Sequence, residues 1–157
     1  MSRRQTPVSE TDRLGMAAAL AAARRGEAAG EVPVGAAVVV DGRVVSEAHN
    51  ETVARRDLTQ HAELIAIQRA LQSIGVDRLD RGTLYVTLEP CAQCAGAVVL
   101  ARVRKVIFGA YDSKAGMAGS VGDLLCHPRL NHRPEVQGGV MAEEGGALLA
   151  DFFASRR

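Results

Sequence analysis

The chain has no Trp, and its aromatic residues stop at two Tyr and three Phe. A core without large rings must be assembled from Ala, Val, Leu and Ile. The same shortage leaves a thin supply of aromatic platforms, the usual means of holding unpaired bases, for which aliphatic or His packing would substitute. Cysteine is also scarce. Cys91, Cys94 and Cys126 are the full complement, an odd and low number that excludes a disulfide scaffold and points to a reducing compartment. Cys126 stands outside the motif below and is expected to be a half-buried free thiol. No apolar run approaches the ~20 residues that span a bilayer. Residues 16–23 (MAAALAAA) look like a signal-peptide core, but Glu10 and Asp12 precede them and Arg24, Arg25 and Glu27 follow closely. That acidic flank, with no cleavage region, argues for a cytoplasmic protein with no membrane contact. Excess charge is missing as well. The net charge is +1, so any nucleic-acid contact must come from local clusters of basic residues.

What is present fits an ordinary globular domain. Hydrophobic residues make up 47% of 157 positions and charged residues 24%, enough to bury one sizeable core. Residues 1–157 are read as a single domain, with 1–8 loose. Ser9-Glu10-Thr11-Asp12 resembles a capping box and starts a helix over about 10–29. A strand over 35–40, a tight Asp41-Gly42 turn and a returning strand over 44–50 form a hairpin. A polar loop fills 51–60. Ile67, Ala70, Leu71 and Ile74 have helical spacing within 61–74. Strands are expected at 83–88 and 103–109. The segment 91–101 lies between them, apolar almost all round and therefore read as a buried helix. A Gly-rich loop follows over 110–122, then a weak strand at 136–140. A closing helix over 142–155 has Leu148, Leu149, Phe152 and Phe153 as its apolar face. Strands alternating with helices imply a sheet covered on both faces.

The chemistry is concentrated in His61-Ala62-Glu63 and Pro90-Cys91-Ala92-Gln93-Cys94, which together read H-x-E…P-C-x-x-C. His61, Cys91 and Cys94 are zinc ligands by type. Three protein ligands leave a fourth position for water, the layout of a catalytic site with one zinc per chain. Cys91 and Cys94, at i and i+3, face one side of a helix. Pro90 suits the first helical position. His61 and Glu63, two residues apart, would point away from each other along a helix. They can share a site only if it lies off the helix's N-terminal end. Two helix N-termini are then expected to aim at one metal, which favours thiolate over thiol. Glu63 is surplus to the ligands and is the candidate proton carrier. The order is that of the zinc deaminases of nucleobases. A C-x-x-C alone would also suit a redox pair or half of a zinc knuckle, for which Cys126, His127 and His132 are available.

The likeness goes further. EVPVGA (31–36), HAELIAI (61–67), TLYVTLEPCAQCAGA (83–97), VIFGAYDSKAGMAGS (106–120), LNHRPEV (130–136) and LLADFFASRR (148–157) resemble the bacterial tRNA-specific adenosine deaminases over nearly the whole chain. The resemblance implies a three-layer α/β/α cytidine-deaminase-like fold, with a mixed five-stranded sheet between helices. It implies a homodimer and hydrolytic deamination of the wobble adenosine to inosine in a tRNA anticodon stem-loop. By the same resemblance Asn50, with Ala62 beside it, would hold the target nucleotide, and Asp112 and Lys114 would lie on a loop near the RNA. Val34 and Pro33 either shape the pocket wall or stiffen the entry to the first strand. His49 either lines the pocket or ends a strand.

Arg156 and Arg157 are candidate phosphate contacts. So are Arg55-Arg56, Arg102-Arg104-Lys105 and Arg129-His132-Arg133. The alternatives are a small-molecule deaminase of free guanine, cytidine or a nucleotide, and a non-catalytic zinc-stabilised interaction module. A module of that kind has no use for Glu63.

Overall fold

A computed structural model describes residues 6–156. The elements run α1 (Glu10–Ala28), β1 (Gly35–Val40), β2 (Arg43–His49), α2 (Ala62–Ile74), β3 (Gly82–Leu88), α3 (Ala92–Leu100), β4 (Lys105–Ala110), β5 (Glu135–Gln137) and α4 (Ala142–Ala154). They match the expected order with shifts of one or two residues, except that β5 ends at Gln137, three residues before the expected end of that strand. The sheet order is β2-β1-β3-β4-β5. β1 is antiparallel to both neighbours, and β3, β4 and β5 are parallel. Four strands therefore finish at one edge of the sheet, the edge from which α2 and α3 begin.

The alternation of strand side chains builds two cores. Ala36, Val38, Leu84, Val86, Val106 and Phe108 face α2 and α3, while Ala37, Val39, Tyr85 and Ile107 face α1 and α4. This is the period-2 division of a sheet buried on both faces. α1 starts with the expected capping box: Ser9 Oγ accepts from Asp12 N and Asp12 Oδ2 from Ser9 N, both at 3.1 Å. Asp41 and Gly42 both have positive φ, which matches the right-handed twist of a two-residue hairpin turn. Gly35 lies against the α1 backbone at Ala19 and Ala23, where any Cβ would overlap. That close approach seats α1 on β1.

Several expectations need correction. α3 is not buried all round. Cys94, Ala95, Val98 and Val99 are buried, but Gln93 is exposed and Leu100 is 84% exposed. Uniform apolarity hides which face packs, because periodicity has nothing to alternate with. Phe153 is exposed while Phe152 is buried, since adjacent helical residues lie about 100° apart. Cys126 is exposed rather than half-buried. Residues 1–5, part of the stretch expected to be loose, lie outside the described residues. Thr6 exchanges two hydrogen bonds with Gln137, at 2.7 and 2.8 Å.

Candidate metal centre and active site

His61 and Cys91 are the N-caps of α2 and α3, both with extended backbone. Each precedes its helix, as a shared site off both N-termini requires. The helices are confirmed at their first turns by Ile65 N to His61 O at 3.1 Å and Ala95 N to Cys91 O at 2.8 Å. Cys91 is thus a cap rather than a residue on the helix face. Pro90 sits one position before the cap, not at the first helical residue. Its carbonyl accepts from Met117 N at 2.8 Å. Gln93 Nε2 donates to Thr59 O at 2.8 Å, tying the start of α3 to the segment that leads into His61.

The cluster brings together the three expected ligands. His61 Nδ1 lies 3.4 Å from Cys91 Sγ and 3.6 Å from Cys94 Sγ. All three donor atoms fall within 4.8 Å of one another. Zn–S bonds near 2.3 Å and Zn–N bonds near 2.05 Å at tetrahedral angles place sulfur and nitrogen about 3.5 Å apart. The donor types and spacings therefore fit a tetrahedral zinc with these three protein ligands. Cys126, His127 and His132 stay out of the cluster, and His132 Nε2 instead donates to Val103 O at 2.7 Å.

The three donors set one another's protonation. The hydrogen bond from Cys94 holds the Cys91 thiol well below its ordinary value, with His61 adding to the effect. The same bond, with burial, pushes the Cys94 thiol up. His61 is raised, first by its bond to Cys91. Both helix N-termini add positive potential at the sulfurs.

Glu63, in the first turn of α2, is 4% exposed. Burial pushes its carboxyl up to about 7, with the Cys91 charge adding to the rise. A carboxyl poised there exchanges protons in both directions near neutral pH. Asn50 and Val34 are also buried, and they converge on the same helix start. Asn50 Oδ1 accepts from Ala62 N at 2.9 Å, and Asn50 N donates to Val34 O at 3.3 Å. Ala62 is thus buried with its amide taken by Asn50. The amide orientation of Asn50 follows from that donor, and its NH₂ group is what it has left to offer a nucleotide.

Asp112 begins the loop beyond β4. Its Oδ1 accepts from Lys114 N and Ala115 N at 3.0 and 3.1 Å, a turn that fixes where exposed Lys114 emerges. His49 does not line the site. It lies on the α1 side of the sheet against Gly26, with Nδ1 donating to Asn50 O at 2.8 Å. Of the basic candidates, Arg55 pairs with Glu51 at 2.7 Å. Arg102, Arg104, His132 and Arg133 line one cavity of about 320 Å³ at the opposite end of β4 from Cys91. The Arg156 guanidinium lies 3.6 Å over the Phe152 ring. Arg157 lies outside the described residues.

Sequence reasoning missed two buried carboxylates. Glu31 accepts from Thr52 Oγ1, Val53 N and Ala54 N, and so orders the loop after β2. Glu89 accepts from the loop after β4. Burial would raise both carboxyls, but these hydrogen bonds hold them below the ordinary carboxylate range. Neither carries a spacing signal, because its partners are mostly backbone amides far along the chain.

A mixed sheet between helix layers, with imidazole, two thiols and a buried carboxyl at two helix N-termini, defines a deaminase of the cytidine-deaminase-like class. The MafB19-like deaminase family matches residues 11–157. The chain is 47% identical to the tRNA-specific adenosine deaminase of Bacillus subtilis over 93% of its own length and 91% of that protein. Its identity to the tRNA-specific adenosine deaminase of Haemophilus influenzae is 44%, covering 95% and 87%. One solved structure comes from studies of A-to-I editing by tRNA:A34 deaminases at the wobble position of transfer RNA. It superposes with a TM-score of 0.84 at 39% identity, covering 87% of this chain and 99% of the other. The chain belongs to the tRNA-specific adenosine deaminase family.

Proposed function

We propose that this chain hydrolyses the wobble adenosine of a tRNA anticodon loop to inosine, releasing ammonia, as a single-domain cytoplasmic enzyme that works as a homodimer with one zinc per chain. The observation that carries the hydrolytic reading is Glu63, a buried carboxyl beside the donor cluster and not needed by it. His61, Cys91 and Cys94 would hold the zinc. Zinc bound there supplies Lewis acidity that makes water nucleophilic near neutral pH. The Glu63 carboxylate would take a proton from the attacking water and pass it to N1 of the base as the water oxygen bonds to C6. It would then carry the second proton, from the oxygen now bonded to C6, to the amine, and the C6–N bond would break to release ammonia. The balance is adenosine and water in, inosine and ammonia out. The Asn50 NH₂ group would orient the nucleotide, and its Oδ1 fixes the start of α2 at the same time.

The loop carrying Asp112 and Lys114 begins at the same edge of the sheet as the cluster, which suits a nucleotide presented by a large partner. Arg156 and Arg157, which follow α4 in the sequence, would bind backbone phosphate. No helix among the described residues is long and apolar enough to cross a membrane. Exposed Leu100 at the end of α3 supports the dimer. The test is to incubate an anticodon hairpin with the protein in ¹⁸O-water. Inosine labelled at O6 is the expected product, and a hairpin returned unchanged would overturn the reading.

A further inference from the structure

Glu89 is the last residue before the Pro90-Cys91 segment, and it is 2% exposed. Its carboxylate takes four donors from one loop. Oε1 accepts from Asp112 N at 3.0 Å and from Ser120 Oγ, and Oε2 accepts from Ala118 N at 3.0 Å and Ser120 N at 3.1 Å. Those four partners are neutral groups. Gly116 lies against the carboxylate so closely that no Cβ would fit. The backbone repeats the connection, with Glu89 N bonded to Ala110 O and Met117 N to Pro90 O, each at 2.8 Å. Residues 112–120 are thus wrapped around one buried charge. That charge sits at the strand end that delivers Cys91.

We infer that Glu89 is a positioning residue that holds the 112–120 loop in register with the Cys91 helix, so that RNA contacts and metal ligands form one preorganised surface. The inference rests on the proposed RNA substrate, since Asp112 and Lys114 are the residues whose placement it sets. The chemistry requires a carboxylate. Its two oxygens accept four hydrogen bonds together, whereas a glutamine of the same shape turns an NH₂ group toward amides that also donate. Glu89→Gln therefore opposes donors to donors inside a buried cradle. The main-chain bonds at Glu89 N and Pro90 O do not need the side chain, so the start of α3 and its cysteines stay in place.

The experiment compares wild type, Glu89→Gln and Ser120→Ala on one anticodon hairpin, with metal content measured in each. Glu89→Gln is expected to keep its zinc and hold kcat within about threefold while KM rises about tenfold or more, the signature of lost binding rather than lost chemistry. Ser120→Ala, which removes one donor and keeps the charge, is expected to raise KM in the same direction by less. Hydrogen exchange at Ala118 and Ser120 should quicken in Glu89→Gln, with α3 unchanged. A fall in kcat or zinc with KM unchanged would overturn the inference, because it would mark Glu89 as support for the metal helix alone. If Glu89→Gln does not fold, an unchanged KM in Ser120→Ala overturns it. Wild type inactive on the hairpin would instead contradict the substrate reading.

Discussion

The imidazole Nδ1 of His61 stands 3.4 Å from the Cys91 sulfur, and each residue caps the helix that follows it. The two helices aim their N-termini at a common point, and Cys94 reaches the same point from the first turn of α3. The arrangement explains why two residues as close in sequence as His61 and Glu63 can both face one site.

That relationship predicts metal content. Purified protein should carry about one zinc per chain by elemental analysis. Cys91→Ala and Cys94→Ala should each lose it, and with it all turnover. Chelation should lower the melting temperature of wild type and leave that of Cys94→Ala nearly unmoved, because the metal binds only the folded site. Active protein free of zinc would contradict the assignment.

Glu63 separates chemistry from assembly. Glu63→Gln should retain zinc and the wild-type circular dichroism spectrum, while kcat falls by about 10²–10⁴-fold, the usual weight of a general acid–base group. Turnover within a few-fold of wild type would remove Glu63 from the proton path.

Asp12 gives a pH dependence independent of the metal. Burial opposes its charge, but hydrogen bonds from Ser9 N and from Tyr85 Oη at 2.8 Å hold its carboxyl below the ordinary carboxylate range. A depressed carboxyl stabilises the fold above the unfolded pKa, and that contribution is lost as pH falls through the folded value. Asp12→Asn should therefore be less stable than wild type at pH 7, by about 1–3 kcal/mol for a hydrogen-bonded charge. The gap should narrow below about pH 4. Urea titrations at several pH values measure it, and a gap constant across that range would contradict the account.

Much of this was legible in the sequence, and for identifiable reasons. The elements could be placed because β-rich strands alternate with periodic helices, and the donor cluster because its residue types are rare and ordered. Burial on α3 was not legible, since a helix of Ala, Val and Leu carries no polar mark to show which face packs. Leu100 could consequently be read as core or as dimer interface. Glu31 and Glu89 were missed because a carboxylate that binds backbone amides leaves no trace in the identity of its partners. His49 lay next to the right residue but on the wrong face of the sheet, as alternation along a strand dictates.

Leu100 bears on assembly. Leu100, 84% exposed at the end of α3, is where the proposed dimer interface would fall. Wild type should sediment as a dimer at micromolar concentration, and Leu100→Glu should shift it toward monomer with its zinc retained. A wild-type monomer, or a Leu100→Glu protein that remains fully dimeric, would contradict an interface at this position.

The central claim is that the substrate is an adenosine in an RNA loop, and relative kcat/KM tests it most directly. One preparation should be assayed against an anticodon hairpin, free adenosine, free guanine and free cytidine, with products read by mass spectrometry. The account predicts that the hairpin is turned over far faster than any free compound. Its advantage should shrink as salt is added, because phosphate contacts release counterions. Arg156→Ala combined with Arg157→Ala should flatten that salt dependence and leave zinc in place. Free guanine or cytidine turned over faster than the hairpin, with no effect of salt, would contradict the account and establish a small-molecule deaminase in its place.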